Sequence, residues 1–174
     1  MNRIIILTPL VILFIVCLFV LIYLLSGKDP NKPPSALLDK NVPSFSIVSL
    51  YNENKAINNK AIKKDKFLIN FFASWCAPCK IEHPLFFELK KTNPNLFILG
   101  INHKDKKEDA IKYLKDDGNP YDFVGVDTDG LIAMDFGVFG LPETFLINED
   151  GKIIYKFMGP LTEKIIKDEI EPLL

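Results

Sequence analysis

The fold is decided by residues 67–79, which read FLINFFASWCAPC. The first part, residues 67–73, is a nearly continuous apolar run of strand length. Such a run is typical of a central strand that is buried on both faces of a sheet. A Cys-x-x-Cys pair, Cys76 and Cys79, follows almost directly. The sequence therefore predicts a buried strand that ends at a cysteine pair.

A helix is predicted to begin at this pair. Ile81, Leu85 and Leu89 follow one another at intervals of four residues, which places them on one stripe of a helix. Pro84 lies within the same segment and predicts a kink, because proline removes a backbone donor and crowds the preceding turn. The cysteine pair therefore lies at a junction between a strand and a helix.

This junction suits thiol–disulfide exchange. The first backbone N–H groups of a helix are unpaired and carry partial positive charge, so they stabilise an anion. Thiolate is the nucleophile of disulfide exchange, and this position lowers the pKa of the first cysteine from its usual value of about 8.5. We therefore predict that Cys76 attacks, and that Cys79, about one turn further along and more buried, resolves the mixed disulfide.

Two neighbours complete the predicted site. Pro78 fixes the backbone of the helix's first turn, and Trp75 offers a substrate an apolar surface beside the sulfur. The alternatives are a structural disulfide, which would add little stability in so short a loop, and half of a metal site with His83. Zinc normally needs four ligands, and the sequence shows no second cluster that supplies them. We therefore predict no metal, no cofactor besides the redox-active disulfide, and a surface position for His83.

The remaining segments predict an α/β fold. The spacing of apolar residues predicts strands at 45–50, 67–73, 96–101, 123–126, 144–147 and 153–157. It predicts helices from residue 78, from a capping box at Asp105 and Glu108 to Gly118, and from Thr162, with a helical turn at 131–136 and turns at 51–66. Strands joined through helices pair in parallel, and the final hairpin adds antiparallel strands at one edge. We expect a mixed central sheet with helices on both faces.

An apolar run precedes this domain. Residues 4–25 carry no charge, and about 20 apolar residues at about 1.5 Å each span the hydrocarbon core of a bilayer. The run ends without the small-x-small site of a cleaved signal peptide, so we predict a transmembrane helix that stays attached. Residues 1–3 would form a cytoplasmic tail, residues 26–41 a stiff tether, and residues 42–174 the catalytic domain outside the cytoplasm.

The charge composition disfavours nucleic acid as a partner. The protein has 21 basic and 22 acidic residues, and Arg3 is its only arginine. Nucleic-acid binding requires a concentrated basic face with arginine for base and phosphate contacts. The lysines are instead spread through the chain, as on a solvated surface.

The cysteine motif and a later segment resemble thioredoxin. Residues 75–80, which read WCAPCK, stand at the strand-to-helix junction, and Pro84 matches the kink of that fold's helix. Residues 140–147 resemble the segment that carries the family's cis-proline, which faces the cysteines. The resemblance implies a thioredoxin-like fold in which Leu141 and Pro142 pair with the substrate chain. A cis Leu141–Pro142 bond would be a fixed structural feature, since only about one X–Pro bond in twenty is cis.

Several stretches resemble one group of thioredoxin-like proteins, the CcmG/DsbE thiol:disulfide interchange proteins of cytochrome c biogenesis. These stretches are residues 79–83, 100–105, 118–121, 137–144 and 169–173. The resemblance covers about residues 42–174 and implies a single-pass protein of the bacterial inner membrane with its domain in the periplasm. The implied activity is reduction of apocytochrome c cysteines before haem attachment. The implied partners are apocytochrome c, or another thioredoxin-like or haem-handling maturation protein, and a membrane electron donor of the DsbD or CcdA kind.

One departure from thioredoxin concerns the proton that resolution requires. Thioredoxins usually carry a buried Asp in the strand before the motif, where this sequence has Asn70. Asn cannot accept a proton, so Glu82 and Glu143 are the candidates for a proton relay, and the group typically carries acids at both positions. Glu82 lies about one helical turn beyond Cys79, where partial burial would raise the pKa of its carboxyl.

Three other functions remain open on the sequence. A general extracytoplasmic thiol reductase of the TlpA or ResA type would have the same fold, and fold alone does not separate the two. A thiol peroxidase would need a peroxidatic cysteine without a nearby resolving cysteine, and the Cys-x-x-Cys pair argues against it. A copper-binding thioredoxin-like protein would require a wider cysteine spacing and a distal histidine.

Overall fold

The structure is a computed structural model that describes residues 3–25, 37–62 and 66–174. Two units divide the chain, residues 1–33 and 34–174. In the first unit, helix α1 (Arg3–Leu25) includes a stretch, Leu7–Leu25, that is long and apolar enough to cross a membrane. Most of the predicted tether lies outside the described residues.

The second unit alternates strands and helices. In its described part the strands are β1 (Ser46–Ser49), β2 (Ala56–Asn58), β3 (Phe67–Phe72), β4 (Phe97–His103), β5 (Phe123–Asp127), β6 (Glu143–Ile147) and β7 (Ile153–Met158). The helices are α2 (Ala77–Thr92), α3 (Lys107–Asp116), α4 (Leu131–Asp135) and α5 (Glu163–Ile165), which continues as a π-helix over Ile166–Ile170 and a 3-10 turn over Glu171–Leu173. Strand β2 was not predicted, because three residues among Asn and Lys are too few to show an alternating pattern.

One mixed sheet joins all of these strands, in the order β2-β1-β5-β4-β3-β6-β7. Strands β3, β4 and β5 pair in parallel, and the hairpin of β6 and β7 adds antiparallel strands beside β3. Strand β1 pairs antiparallel with β5 and with β2. The predicted mixed sheet and its antiparallel hairpin are confirmed.

Two apolar clusters cover the two faces of the sheet. The cluster under α2 and α3 contains Phe72, Phe86 and both cysteines. The cluster on the opposite face is built around the rings of Phe71, Phe136 and Phe145, whose centroids lie 5.3 to 5.7 Å apart. Because successive residues of a strand point to opposite faces, Asn70 of β3 shares the face of Phe72 and therefore of the cysteines. We call this the cysteine face.

The buried face of α2 differs from the predicted one. Ile81, the first residue of the predicted stripe, is 70% exposed, and His83, predicted at the surface, is only 3% exposed. The buried residues of the helix are Cys79, Glu82, His83, Phe86 and Leu89. This face can bury polar residues because they find partners elsewhere in the chain, as His83 Nε2 does at the Gly118 carbonyl, 3.0 Å away.

The predicted capping box of α3 is wrong. The N-cap residue is Lys106, and no side chain caps the helix there. The Asp105 carboxylate instead bonds to Ser74, 31 residues earlier in the chain. The predicted end of α3 agrees better with the structure, since Gly118 follows the helix with a positive φ of 85°. Thr162 caps α5 as predicted, accepting from Ile165 N.

Candidate active site

The cysteine pair lies at the amino end of α2 as a disulfide. Cys76 is the N-cap residue of the helix, with an extended backbone, and its sulfur accepts a hydrogen bond of 3.2 Å from the backbone N–H of Cys79. An N–H group aimed at this sulfur would stabilise a Cys76 thiolate after reduction. Cys76 is 3% exposed and Cys79 2%, so burial does not distinguish the predicted attacking sulfur from the predicted resolving one, whereas the position at the helix end does.

The residues around the disulfide are accessible. Trp75 is 61% exposed, and its indole Nε1 donates to the carbonyl oxygen of Lys104 at 3.1 Å. Pro78 is exposed in the first turn of α2. A partner approaching the disulfide would therefore meet an aromatic ring before it and a proline after it.

The proline segment reaches the same cluster. The Leu141–Pro142 bond is cis, and the Pro142 carbonyl accepts from Gly159 N at 2.9 Å. Leu141 is half-buried and packs against the cluster that contains both cysteines. Two residues before it, Phe139 is 83% exposed. The structure thus brings Leu141 to the cysteine cluster and places an exposed aromatic ring at the start of the segment.

A buried polar network lies on the cysteine face. Glu82 Oε1 accepts from Asn70 Nδ2 at 2.8 Å, and its Oε2 accepts from the backbone N–H of Leu161 at 2.8 Å. Asn70 Oδ1 in turn accepts from the Tyr121 hydroxyl at 2.9 Å, while Nδ2 also donates to Thr144 Oγ1 at 3.1 Å. These bonds fix the orientation of the Asn70 amide, and they make Asn70 the bridge between Tyr121 and Glu82.

Burial sets the protonation of this network. It raises the pKa of Glu82 to about 7, although the hydrogen bonds from Leu161 and Asn70 act in the opposite direction. Burial also raises the pKa of Tyr121 well above its ordinary value, and the charge of Glu82 adds to this effect. Tyr121 therefore remains a hydrogen-bond donor, whereas Glu82 can take up or release a proton near neutral pH.

Glu143 has different partners. Its Oε1 accepts from the backbone N–H groups of Phe139 at 2.7 Å and Gly140 at 3.4 Å. Lys156 Nζ lies at the ion-pairing distance of 2.9 Å from Oε2 and donates to the carbonyl oxygen of Gly137 at 2.7 Å. Both charged side chains are buried, so the attraction between them offsets the free-energy cost of removing each charge from water. The pair holds the loop 137–140 that leads into the proline segment.

The sheet keeps the two predicted acids apart. Thr144 bonds to Asn70 on the cysteine face, so Glu143, the preceding residue of β6, points to the opposite face. The structure therefore does not bring Glu143 together with Glu82. Of the two predicted relay residues, only Glu82 lies on the face of the cysteines.

Three functional neighbours were not found from the sequence. In the sequence, Tyr121 stands out only as part of a stretch that resembles the family, and Thr144 only as part of the proline segment, yet both bind Asn70. Lys156 had a usable signal, since it interrupts an otherwise largely apolar strand, β7. A lysine inside such a strand is either at an edge or paired with an acid. The sequence did not reveal which acid, because Glu143 lies on another strand.

Metal ligands are not gathered in the described part of the chain. No group of three or more His, Cys, Asp or Glu residues lies close enough to hold an ion there. Burial lowers the pKa of His83, and its Nε2 is engaged with Gly118, so the ring packs as a neutral aromatic group between Tyr113 and Phe87.

Known proteins resemble this chain over most of its length. A family model named Redoxin matches residues 38–172. The thiol:disulfide interchange protein CycY of Rhizobium leguminosarum is 39% identical over 148 residues, which cover 85% of this chain and 79% of that protein. The thiol:disulfide interchange protein DsbE of Escherichia coli is 37% identical over 178 residues, which cover 99% of this chain and 95% of that protein.

The fold is also found among solved structures. The thioredoxin domain of a thiol-disulfide oxidoreductase from Bacteroides vulgatus superposes with a TM-score of 0.66 and 18% sequence identity, covering 80% of this chain and 99% of that chain. At this level of sequence identity, the similarity supports the fold and not a function. The predicted thioredoxin-like fold is confirmed.

We predict that Glu82 makes the free energy of unfolding depend on pH. Its pKa is about 7 in the folded protein against 4.5 for an unperturbed Glu. The stability that this raised pKa contributes is fully present below pH 4.5 and is lost as the pH rises through 7. A shift of this size corresponds to on the order of 3 kcal/mol. Urea unfolding at several pH values measures it.

Two variants test whether Glu82 causes this pH dependence of the free energy of unfolding. Glu82→Gln should lose this decline, because an amide does not titrate. Glu88→Gln removes an exposed acid from the same helix and should keep the decline of the parent protein. A Glu82→Gln protein whose stability falls with pH as steeply as the parent's would contradict the assignment.

Proposed function

The chain belongs to the Redoxin family and, within it, to the CcmG/DsbE thiol:disulfide interchange proteins, and from this premise we propose that it is a reductase of cytochrome c maturation. Its client would be apocytochrome c, whose cysteines must be reduced before haem attachment. The observation that carries the proposed chemistry is the Cys76 sulfur at the amino end of α2, with the Cys79 N–H directed at it. The pathway rests on the resemblance of the motifs around this site to the cytochrome c biogenesis group.

The proposed reaction consists of two exchanges. In the reduced protein the Cys76 thiolate attacks one sulfur of the client disulfide, so a Cys76–client bond forms and the other client sulfur leaves as a thiolate. The Cys79 thiolate then attacks the Cys76 sulfur, the Cys76–Cys79 disulfide forms, and the second client thiolate leaves. Two electrons pass from the protein to the client. The leaving thiolates take up protons, and Cys79 must lose one.

We assign the removal of the Cys79 proton to Glu82. The two residues lie three positions apart on the buried face of α2, so they are neighbours on one side of the helix. With a pKa of about 7, Glu82 can accept a proton at neutral pH and release it afterwards. Glu143, held on the other face of the sheet, would act on the client through the loop 137–140 and Pro142.

The apolar helix α1 supports a location for the proposed reaction. The Leu7–Leu25 stretch is long enough to anchor the protein, and Arg3 on its short flank favours an N-terminus in the cytoplasm. The domain would then face the periplasm, where disulfides form and reducing power must be imported. A membrane electron donor of the DsbD or CcdA kind would return the Cys76–Cys79 disulfide to its dithiol.

We predict that Cys79→Ser traps the client. Without the resolving sulfur, the mixed disulfide between Cys76 and an oxidised apocytochrome c peptide bearing Cys-x-x-Cys-His should accumulate, and nonreducing mass spectrometry should find it at Cys76. The matched control, Cys76→Ser, should form no comparable adduct. Trapping of many unrelated proteins with equal efficiency from a periplasmic extract would favour a general reductase of the TlpA or ResA type instead.

We also predict that Glu82→Gln slows resolution more than attack. Loss of a positioned base typically costs at least about a hundredfold in a proton-transfer step, so the second exchange should slow by about that factor while the first changes little. Rapid-quench analysis of the mixed disulfide separates the two steps. Glu88→Gln serves as the control. Equal resolution rates in Glu82→Gln and the parent protein would contradict the assignment of Glu82 as the base that removes the Cys79 proton.

A further inference from the structure

A second polar centre lies beside the catalytic loop, at Asp105. Its Oδ2 accepts from the backbone N–H of Ser74 at 2.6 Å and from Asn102 Nδ2 at 2.9 Å. Its Oδ1 accepts from the Ser74 hydroxyl at 2.8 Å and from the backbone N–H of Lys106 at 2.9 Å. The carboxylate thus joins Ser74, two residues before Cys76, to the segment 102–106, which we call the β4–α3 turn.

A second bond joins the same two segments. The Trp75 indole donates to the Lys104 carbonyl at 3.1 Å. Because the ring is 61% exposed, packing constrains it little, and this hydrogen bond fixes the direction in which the indole points. Successive residues of the catalytic loop, Ser74 and Trp75, are therefore both attached to the β4–α3 turn.

The β4–α3 turn is itself held firmly. Lys104 has a φ of 45°, a left-handed conformation that a non-glycine residue adopts only when its surroundings impose it. Its backbone N–H donates to the Asp127 carbonyl at 3.0 Å, and His103 Nδ1 lies 3.0 Å from the buried Asp127 carboxylate. The same carboxylate accepts from the backbone N–H groups of Ile132 and Ala133 at the start of α4. The turn is thus anchored to the sheet and to α4.

We propose that Asp105 is a positioning residue for disulfide exchange, which sets the place of Cys76 and the orientation of Trp75 by tying the catalytic loop to the β4–α3 turn. The inference rests on the proposed role of Cys76 as the nucleophile. On its helix side Cys76 is fixed by α2, and on its strand side its N–H closes a turn at the Ala73 carbonyl, 3.2 Å away. Ser74 lies inside that turn, so the bonds of Asp105 hold the backbone that leads into the reacting sulfur.

Position matters here because sulfur must approach a disulfide in line. A small misplacement of a reacting atom lowers the rate without changing its ionisation. The four donors to the Asp105 carboxylate all belong to the catalytic loop or to the β4–α3 turn, so we expect its main effect on the thiol to be geometric. Asn at this position keeps the shape but has one accepting atom, so it should retain part of the bonding, and Ala should retain none.

The chain has a built-in probe, since Trp75 is its only tryptophan. Acrylamide quenching of the reduced full-length protein in detergent reports the freedom of this ring. Stopped-flow reaction with 5,5′-dithiobis(2-nitrobenzoate) as a function of pH, with Cys17→Ser in every variant to remove the other free thiol, gives the rate constant of Cys76 attack. For Asp105→Ala we expect the quenching constant to rise about twofold and the rate plateau at high pH to fall about tenfold, with an unchanged pH midpoint. Asp105→Asn should give intermediate values.

Further variants serve as a control and as substitutes if Asp105→Ala does not fold. Asp109→Ala removes an exposed acid from the first turn of α3 and should leave both readouts at the parent values. If circular dichroism shows that Asp105→Ala does not fold, Asp105→Asn and Ser74→Ala, which lacks only the hydroxyl donor, take its place, with smaller changes expected in the same two quantities.

Each part of the proposal can be contradicted by a different result. Unchanged quenching in the Asp105 variants would overturn the attachment of the loop, and a freer Trp75 with an unchanged rate plateau would overturn the positioning role. A moved pH midpoint with an unchanged plateau would mean that Asp105 acts on ionisation, which also contradicts the proposal. A parent protein that reacts with the reagent but not with the apocytochrome peptide would refute the proposed pathway while leaving this comparison intact.

Discussion

The arrangement of the site depends on the position of the Cys76 sulfur at the first turn of α2. A helix begins with N–H groups that have no partner within the helix, and here the N–H of Cys79 is satisfied by the sulfur of Cys76. Strand β3, an interior strand of the sheet that is buried along its whole length, ends at Phe72, four residues before this sulfur. The sheet then carries the cis-proline segment into the same apolar cluster on the neighbouring strand.

The sheet separates two of the buried acids, Glu82 and Glu143. Glu82 lies on the cysteine face with neutral partners, Asn70 and the Leu161 N–H, so burial raises its pKa to about 7. Glu143 lies on the other face with a lysine partner and two backbone donors of a loop. Burial among neutral donors raises the pKa of Glu82, whereas Glu143 lies in a buried ion pair with Lys156 and bonds to the loop 137–140. The two acids therefore have different surroundings, and we propose proton transfer for Glu82 and loop placement for Glu143.

The sequence predicted the parts of this arrangement that local pattern determines. The apolar run of β3, the helix that starts at the cysteines and the final hairpin are all encoded in residues close together in the chain, and each is present. The errors concern residues whose partners are distant. His83 lies on the buried face of α2 with Nε2 bonded to the Gly118 carbonyl, and the Asp105 carboxylate bonds to Ser74 instead of capping α3. Glu143 was predicted, together with Glu82, as a candidate for the proton relay, and the face of the sheet that it occupies depends on the register of β6. Such pairings form only when the sheet assembles, so no local pattern reveals them.

In the proposed function the Cys76–Cys79 pair donates electrons to its client. A reductase must not stabilise its thiolates too strongly, because a stabilised reduced form makes an oxidant. Here a single N–H group bonds to the Cys76 sulfur, and the buried Glu82 lies one turn beyond Cys79, where a negative charge would disfavour a thiolate. This arrangement stabilises the thiolates only moderately, as a reductase requires. The most direct measurement is the reduction potential of the disulfide in the full-length protein, by equilibration with dithiothreitol or glutathione. A value near or below that of thioredoxin, about −270 mV, is the predicted result, and a value near −120 mV would contradict the claim.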